Sequence, residues 1–222
     1  MTNRDANGTL SKDWRFLSMK KIALVNQRYG LEVNGGSEYY TRLIAEKLAK
    51  DYQVEVFTSK ALSYEKWANY YIDDLENING VTVRRFEVKH ERRNLLMKIL
   101  TRMITKLHLN FEWMCNIWVR QQGPYVPDLI QYIKEHKNEY DAFIFVTYLY
   151  YPTVAGLQAV KEKAIFIPTA HDEPYIHFKS HSKLFNMPRA IIYLTEEEKA
   201  LVERLYNNQS VKSIVAGVGI EV

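Results

Sequence analysis

The feature that most constrains this chain is a strand, a glycine pair, a helix and a second strand in direct succession. Residues 21–26 form a short, apolar, partly β-branched run suited to a buried strand, and residues 28–34 read as a loop. Gly35 and Gly36 then open a helix whose Tyr40, Leu43, Ile44 and Leu48 share one face at spacings of three and four, before Lys50 and Asp51 end it. Residues 54–58 make the next strand. A helical crossover between two strands requires them to run parallel.

The pattern repeats. Strands are predicted over 81–86, 142–147, 164–168, 190–194 and 213–216, and helices over 64–73, 94–120, 126–137, 153–161 and 196–206. Thr195 followed by three glutamates is a strong helix start. Seven strands alternating with helices predict a single Rossmann-like, doubly wound α/β domain over 19–222, with a mostly parallel sheet and helices on both faces. Residues 1–18 carry little pattern and read as a flexible N-terminal extension, with Met1 and Met19 both open as the true start. The sequence stops at Gly217-Val218-Gly219-Ile220, just past a strand, which is where a domain junction is expected, so the chain reads as part of a larger protein.

Composition narrows the class. Apolar residues make up 47% and charged residues 25%, which excludes collagen, coiled coil and wholesale disorder. The single cysteine, Cys115, cannot form an internal disulfide, sits among apolar and aromatic neighbours, and reads as inert in a reducing compartment. No apolar run reaches the ~18 residues of a membrane span. Residues 1–18 lack an apolar signal core, so a cytoplasmic location is expected. The net charge is +4, yet residues 84–106 alone carry eight Lys or Arg against two acids, leaving −2 for the rest. That local excess needs a local explanation.

In an open parallel sheet, ligands bind beyond the carboxyl ends of the strands. The rule selects Tyr29, Asn34, Gly35, Gly36 and Ser37 after the first strand, and Tyr148, Tyr150 and Tyr151 after 142–147. It further selects Thr169, His171, Asp172 and Glu173 after 164–168, Thr195 and Glu196 after 190–194, and Gly217 and Gly219 after the last strand. The glycine pair offers helix-terminal N–H groups to a phosphate, or is simply a tight turn; it matches neither the dinucleotide fingerprint nor a P-loop. His171, Asp172 and Glu173 at a strand end are either polar contacts for a substrate or the cap of a following helix. His171, Asp172, His177 and His181 can be drawn as a metal site, but their spacing matches no zinc pattern, and solvated helix histidines are the commoner case.

Residues 92–108 make a basic amphipathic helix. Leu95, Leu96, Ile99, Leu100, Met103, Ile104 and Leu107 form its apolar face, and Lys98, Arg102 and Lys106 the other. Such a helix either lies on an anionic membrane surface or packs on a core with a solvated basic face. No nucleic-acid motif is present. Several of the 16 tyrosines gather at strand ends, where a ring bearing a hydroxyl suits sugar binding, although most read as partly buried structural residues.

Taken together, these residues resemble the N-terminal domain of family 4 retaining glycosyltransferases of the two-domain GT-B fold. The resemblance rests on residues 21–25, Asn34-Gly35-Gly36-Ser37-Glu38, the strand 54–58, the strand 81–86, Tyr140-Asp141 before 142–145, residues 168–173 and the closing glycines, and covers about 19–222. It implies transfer of a sugar from a nucleotide sugar to a glycan or lipid-linked acceptor with retention, in cell-envelope or surface polysaccharide synthesis, without a metal or other cofactor. It implies that Gly35, Gly36 and Ser37 approach the donor diphosphate and that His171 faces the donor sugar as the catalytic residue. Tyr29, Asn34, Tyr148, Asp172 and Glu173 are then expected to contact acceptor or sugar. A second domain would bind the donor through a glutamate pair separated by seven residues. Glu38 and Glu46 have that gap but lie on the first helix, so they are read as coincidence. Asp73-Asp74, read as lying in or at the end of a helix, is no Asp-x-Asp metal motif. This chain alone is expected to be inactive, and its basic helix (Lys98, Arg102, Lys106) is expected to hold it at the inner membrane face. The competing reading is a non-catalytic sugar- or nucleotide-binding α/β module. A nicotinamide enzyme such as an epimerase is weaker, because the dinucleotide fingerprint is missing.

Overall fold

The computed structural model describes residues 20–217. Its strands are β1 (Lys21–Val25), β2 (Gln53–Ser59), β3 (Leu75–Ile78), β4 (Val81–Phe86), β5 (Ala142–Val146), β6 (Ala164–Ile167), β7 (Ala190–Tyr193) and β8 (Lys212–Val215). Its α-helices are α1 (Gly36–Leu48), α2 (Asn94–Lys106), α3 (Glu112–Gln122), α4 (Pro127–His136), α5 (Tyr151–Ala159) and α6 (Glu196–Tyr206). One sheet runs in the order β3-β4-β2-β1-β5-β6-β7-β8, parallel throughout except for the β3–β4 pair. The expected α/β class and mostly parallel sheet are therefore what the chain adopts. The expected extension 1–18 and the residues from Val218 onward, Gly219 included, lie outside the described residues.

Strand alternation divides the core in two. Ala23 and Val25 of β1 point into a large cluster built with Leu100 and Ile104 of α2, Trp118 of α3, Leu129 of α4, Leu157 of α5 and Val202 of α6. Ile22 and Leu24 point the other way, into a smaller cluster under Ala45 of α1. Among the described residues, five α-helices thus cover one face and one α-helix the other.

The structure corrects three expectations. No helix forms over 64–73. That segment is a loop fixed by tertiary bonds: the Lys60 carbonyl accepts from both Tyr70 and Tyr71, Asn69 pairs with the backbone of Val88 in both directions, and the buried Trp67 indole donates to the Gln122 carbonyl at 2.6 Å. Asp73 and Asp74 accordingly precede a strand, not a helix end. That strand, β3, was not among the expected ones, and it gives eight strands among the described residues, in keeping with the about seven expected. It pairs antiparallel with β4 through Asn79-Gly80, both at positive φ (50° and 84°), the backbone a tight hairpin demands. Finally, the helix expected over 94–120 is two helices, broken where His108 turns to φ 55°.

β1 lies between β2 and β5, and the chain leaves it in opposite directions for the two halves of the sheet. This switch point opens a crevice at the carboxyl ends of the strands. The loops after β1, β5 and β6 all meet that rim.

Candidate functional site

The first wall of the rim is the turn into α1. Arg28, buried just past β1, forms an ion pair with Glu38 at 2.5 Å and donates to the carbonyls of Asn34 at 3.2 Å and Leu62 at 2.9 Å. A Cβ at Gly35 would stand 2.3 Å from a Glu38 carboxylate oxygen and 3.2 Å from the Arg28 guanidinium, so only glycine fits over this pair. At Gly36 a Cβ would meet open space. The two glycines therefore serve different ends: Gly35 lets the ion pair pack beneath the loop, and Gly36 leaves the first turn of α1 bare. No side chain caps that end of α1. The uncapped N–H groups and the helix dipole suit an anion, and Arg28 neutralises the Glu38 charge that would otherwise oppose one. The Ser37 hydroxyl is engaged, donating to Glu38 at 2.8 Å and accepting from Gln27 at 3.1 Å. Asn34 is exposed beside it.

The second wall follows β6. Thr169 has φ 50°, and Thr147 at the end of β5 has φ 65°. Both are β-branched residues in the left-handed region, strain of about 1–3 kcal/mol each that the surrounding structure must hold. Beyond Thr169, the His171 imidazole is exposed and makes no hydrogen bond among the described residues. Asp172 is exposed, between His177 at 3.6 Å and Arg204 at 3.5 Å. An open cavity of about 680 Å³ lies here, lined by His171, Asp172, Thr195, Glu198 and Arg204 among others.

Glu198 shapes this wall and was not foreseen. Its side chain is buried, and its two oxygens accept from the backbone of Ala170 at 2.6 Å and Leu194 at 2.7 Å. Burial raises its pKa, opposed by those two N–H groups and by His171 nearby. A partial signal was present in the Thr195-x-x-Glu198 spacing. The Thr195 hydroxyl does accept from the Glu198 N–H at 3.1 Å, but the glutamate reaches across to two loops rather than back to the cap.

The two walls belong to one rim. Tyr150 is half-buried, and its hydroxyl pKa is raised by burial and by Glu38 of the first wall and Glu173 of the second. Tyr40 of α1 is likewise raised by burial and by Glu198. Among the expected contacts, two are corrected. Tyr29 is 1% exposed and packed in the smaller cluster, and Tyr148 is 2% exposed with its hydroxyl donating to Glu173 at 2.5 Å, so neither ring faces the rim. Tyr150, two residues on, packs edge-on against Trp67 with ring centroids 5.5 Å apart.

His171, Asp172, His177 and His181 do not converge on a point. His181, expected as a solvated helix histidine, is fully buried, with Nδ1 at 2.8 Å from the Tyr175 carbonyl. No group of three or more His, Cys, Asp or Glu side chains among the described residues is placed to hold a metal. Glu38 is committed to Arg28, and Glu46 accepts from Asn79 at 2.9 Å. Lys98, Arg102 and Lys106 are exposed on α2, and no helix among the described residues is long and apolar enough to cross a membrane.

No protein-family model and no curated protein matches this chain. Solved structures do. A sucrose-phosphate synthase from Thermosynechococcus elongatus superimposes with a TM-score of 0.56 at 14% identity, over 91% of both chains. A UDP-forming α,α-trehalose-phosphate synthase from Burkholderia vietnamiensis gives a TM-score of 0.50 at 9% identity over 91% of this chain and 49% of that one. UGT71G1 of Medicago truncatula, complexed with UDP-glucose, gives 0.50 at 14% over 90% of this chain and 51% of that one. The chain spans about half the length of the latter two. At these identities the likeness establishes the fold: the chain is a Rossmann-like α/β domain of the kind found in those proteins.

Proposed function

We propose that this chain is the acceptor-side domain of a GT-B glycosyltransferase, moving a sugar from a nucleotide sugar to a glycan or lipid-linked acceptor. The observation that carries the reading is the single rim holding both the bare N-terminus of α1 and the unengaged His171 imidazole. β1 and β6 are separated by β5 alone, so their axes lie about 10 Å apart, a span suited to a sugar diphosphate. The structural neighbours, two named as sugar-phosphate synthases and one as a complex with UDP-glucose, support the same reading.

In this mechanism the α1 N–H groups stabilise charge as it develops on the departing diphosphate. Gly36 leaves the approach open, and the Arg28–Glu38 pair holds the loop rigid, so little reorganisation accompanies the reaction. His171 orients the donor sugar by hydrogen bonding and is not assigned proton transfer. The donor's base and ribose are held by a facing second domain, whose closure brings the acceptor into line. Retention of configuration, a role in cell-envelope or surface polysaccharide synthesis and a place at the cytoplasmic membrane face are parts of the same proposal.

The test is release of nucleoside diphosphate from a panel of nucleotide sugars by the full-length protein. His171→Ala is expected to lower turnover by about a hundredfold or more while leaving the thermal melt unchanged, because the side chain is exposed. Near-normal turnover in that variant removes His171 from the mechanism. Nucleotide-sugar binding with no turnover by wild type favours the non-catalytic module.

A further inference from the structure

The α2–α3 hairpin carries a surface that takes no part in the chemistry at the rim and bears on how the domain meets a membrane. Six of the thirteen exposed large apolar residues among the described residues fall on it: Leu95, Ile99, Leu107, Phe111, Trp113 and Ile117. The sequence pattern placed Leu95, Ile99 and Leu107 on the apolar face of the helix together with Leu100 and Ile104. The structure buries Leu100 and Ile104 and leaves the other three outside, at 74%, 48% and 62% exposed. Leu95 and Ile99 thus share the outer face of α2 with Lys98, Arg102 and Lys106. None of these cations has an acidic partner within 4 Å among the described residues, and residues 92–108 contain no Asp or Glu. At the turn, the Phe111 and Trp113 rings stack at 6.5 Å with planes 10° apart, both at least half exposed.

The inner sides of the hairpin are closed. Trp118 donates to the Thr101 hydroxyl at 2.7 Å, and both helices bury their inner residues in the larger cluster, so the outer faces look away from the domain together.

We propose that this outer surface docks on an anionic lipid bilayer. Aliphatic and aromatic groups interleaved with unpaired cations match the boundary between acyl chains and anionic headgroups, where the rings enter and the cations stay among phosphates. A protein partner fits less well, because lysine is depleted at the centres of protein interfaces. The docking surface is also fastened to the His171 loop. The Asn110 side chain donates to the His177 carbonyl at 2.9 Å and accepts from the Lys179 N–H at 3.0 Å, and Lys183 pairs with Glu112 at 2.9 Å. A docked molecule therefore carries the rim beside the headgroups. If the transferase reading holds, on which this last step alone rests, the acceptor it meets there is itself lipid-anchored.

The experiment is flotation of the whole chain with vesicles of phosphatidylcholine alone and of phosphatidylcholine mixed with phosphatidylglycerol, which reads docking without any activity. Binding is expected only to the mixed vesicles, and is expected to fall with added salt. Lys98→Gln, Arg102→Gln and Lys106→Gln together are expected to weaken it by about a hundredfold. Phe111→Ser with Trp113→Ser is expected to weaken it with the circular dichroism spectrum intact. Quenching of tryptophan fluorescence by brominated lipid is expected to drop in Trp113→Phe. No flotation with anionic vesicles overturns the proposal, as does flotation that both variant sets leave unchanged. A self-association in sedimentation equilibrium that Phe111→Ser with Trp113→Ser dissolves, without any vesicle binding, assigns the surface to a second copy of the chain.

Discussion

Acid should destabilise this domain through one residue, His181. Its imidazole is fully buried, with the rings of Tyr148, Trp118 and Phe178 at 5.2, 6.4 and 6.2 Å. Nδ1 faces a carbonyl, which only accepts, so Nδ1 carries the proton, and Nε2 is bare and has no partner among the described residues. Charging the ring requires a proton on Nε2 with nothing to solvate it, and burial pushes the pKa down to about 4 from the ordinary 6.5. The unfolded chain then binds a proton that the native one refuses. Stability is full above the unfolded value and is lost as pH falls toward the folded one. Linkage gives a loss of about 2 kcal/mol at pH 5 and about 3 kcal/mol at pH 4, relative to pH 8. The assay is urea unfolding of wild type and His181→Gln across that range. Glutamine fills a similar space without titrating, so the difference between the two proteins cancels the carboxylates that titrate nearby. The difference should shift by that amount, most steeply below pH 6.5. A difference that stays flat to within about 0.5 kcal/mol refutes the assignment of a buried, neutral ring.

Two further outcomes follow from the rim. Gly35→Ala should cost about 1–3 kcal/mol in chemical denaturation, because its Cβ meets Glu38 at 2.3 Å, whereas Gly36→Ala should stay within about 0.5 kcal/mol; equal effects would mean that the ion pair does not dictate the glycine. Glu198→Gln should destabilise by about 1–3 kcal/mol at neutral pH by leaving one of two backbone N–H groups without its acceptor. Because the folded pKa of Glu198 is raised, the wild-type carboxylate favours the native state less as pH rises through its titration, so the gap between wild type and variant should narrow with pH; a widening gap would reverse the sign of the shift.

The parallel half of the fold was legible because its signals are local. An apolar strand of five residues, a glycine pair and a three–four helical spacing each declare themselves within one window, and α1 and α6 fall where the pattern put them. Asn79-Gly80 is an equally local turn signal, but β3 beside it is four residues long with three of them exposed, so no apolar run marks it as a strand. The break at His108 had no glycine or proline to announce it; it is imposed by Asn110, which is tied to the backbone at His177 and Lys179 some seventy residues on. The strand-end rule placed Gly35 and Gly36 past β1 and His171 past β6, and they lie there. It could not tell that the core would draw in Tyr29 and Tyr148, since a rim ring and a core ring have the same sequence. Arg28 with Glu38, and Glu198 with Ala170, are long-range pairs, and no spacing encodes them. Nor does helical periodicity say which part of a wide apolar stripe on α2 the core will accept.

Glu198 leaves the loops after β6 and β7 without independent freedom. One rigid carboxylate grips a peptide N–H in each, so residues 170 and 194 are coupled like two rungs nailed to the same post. Whatever pulls on the peptide beside His171 also pulls on the start of α6, and the mouth of the cavity changes shape as a unit or not at all.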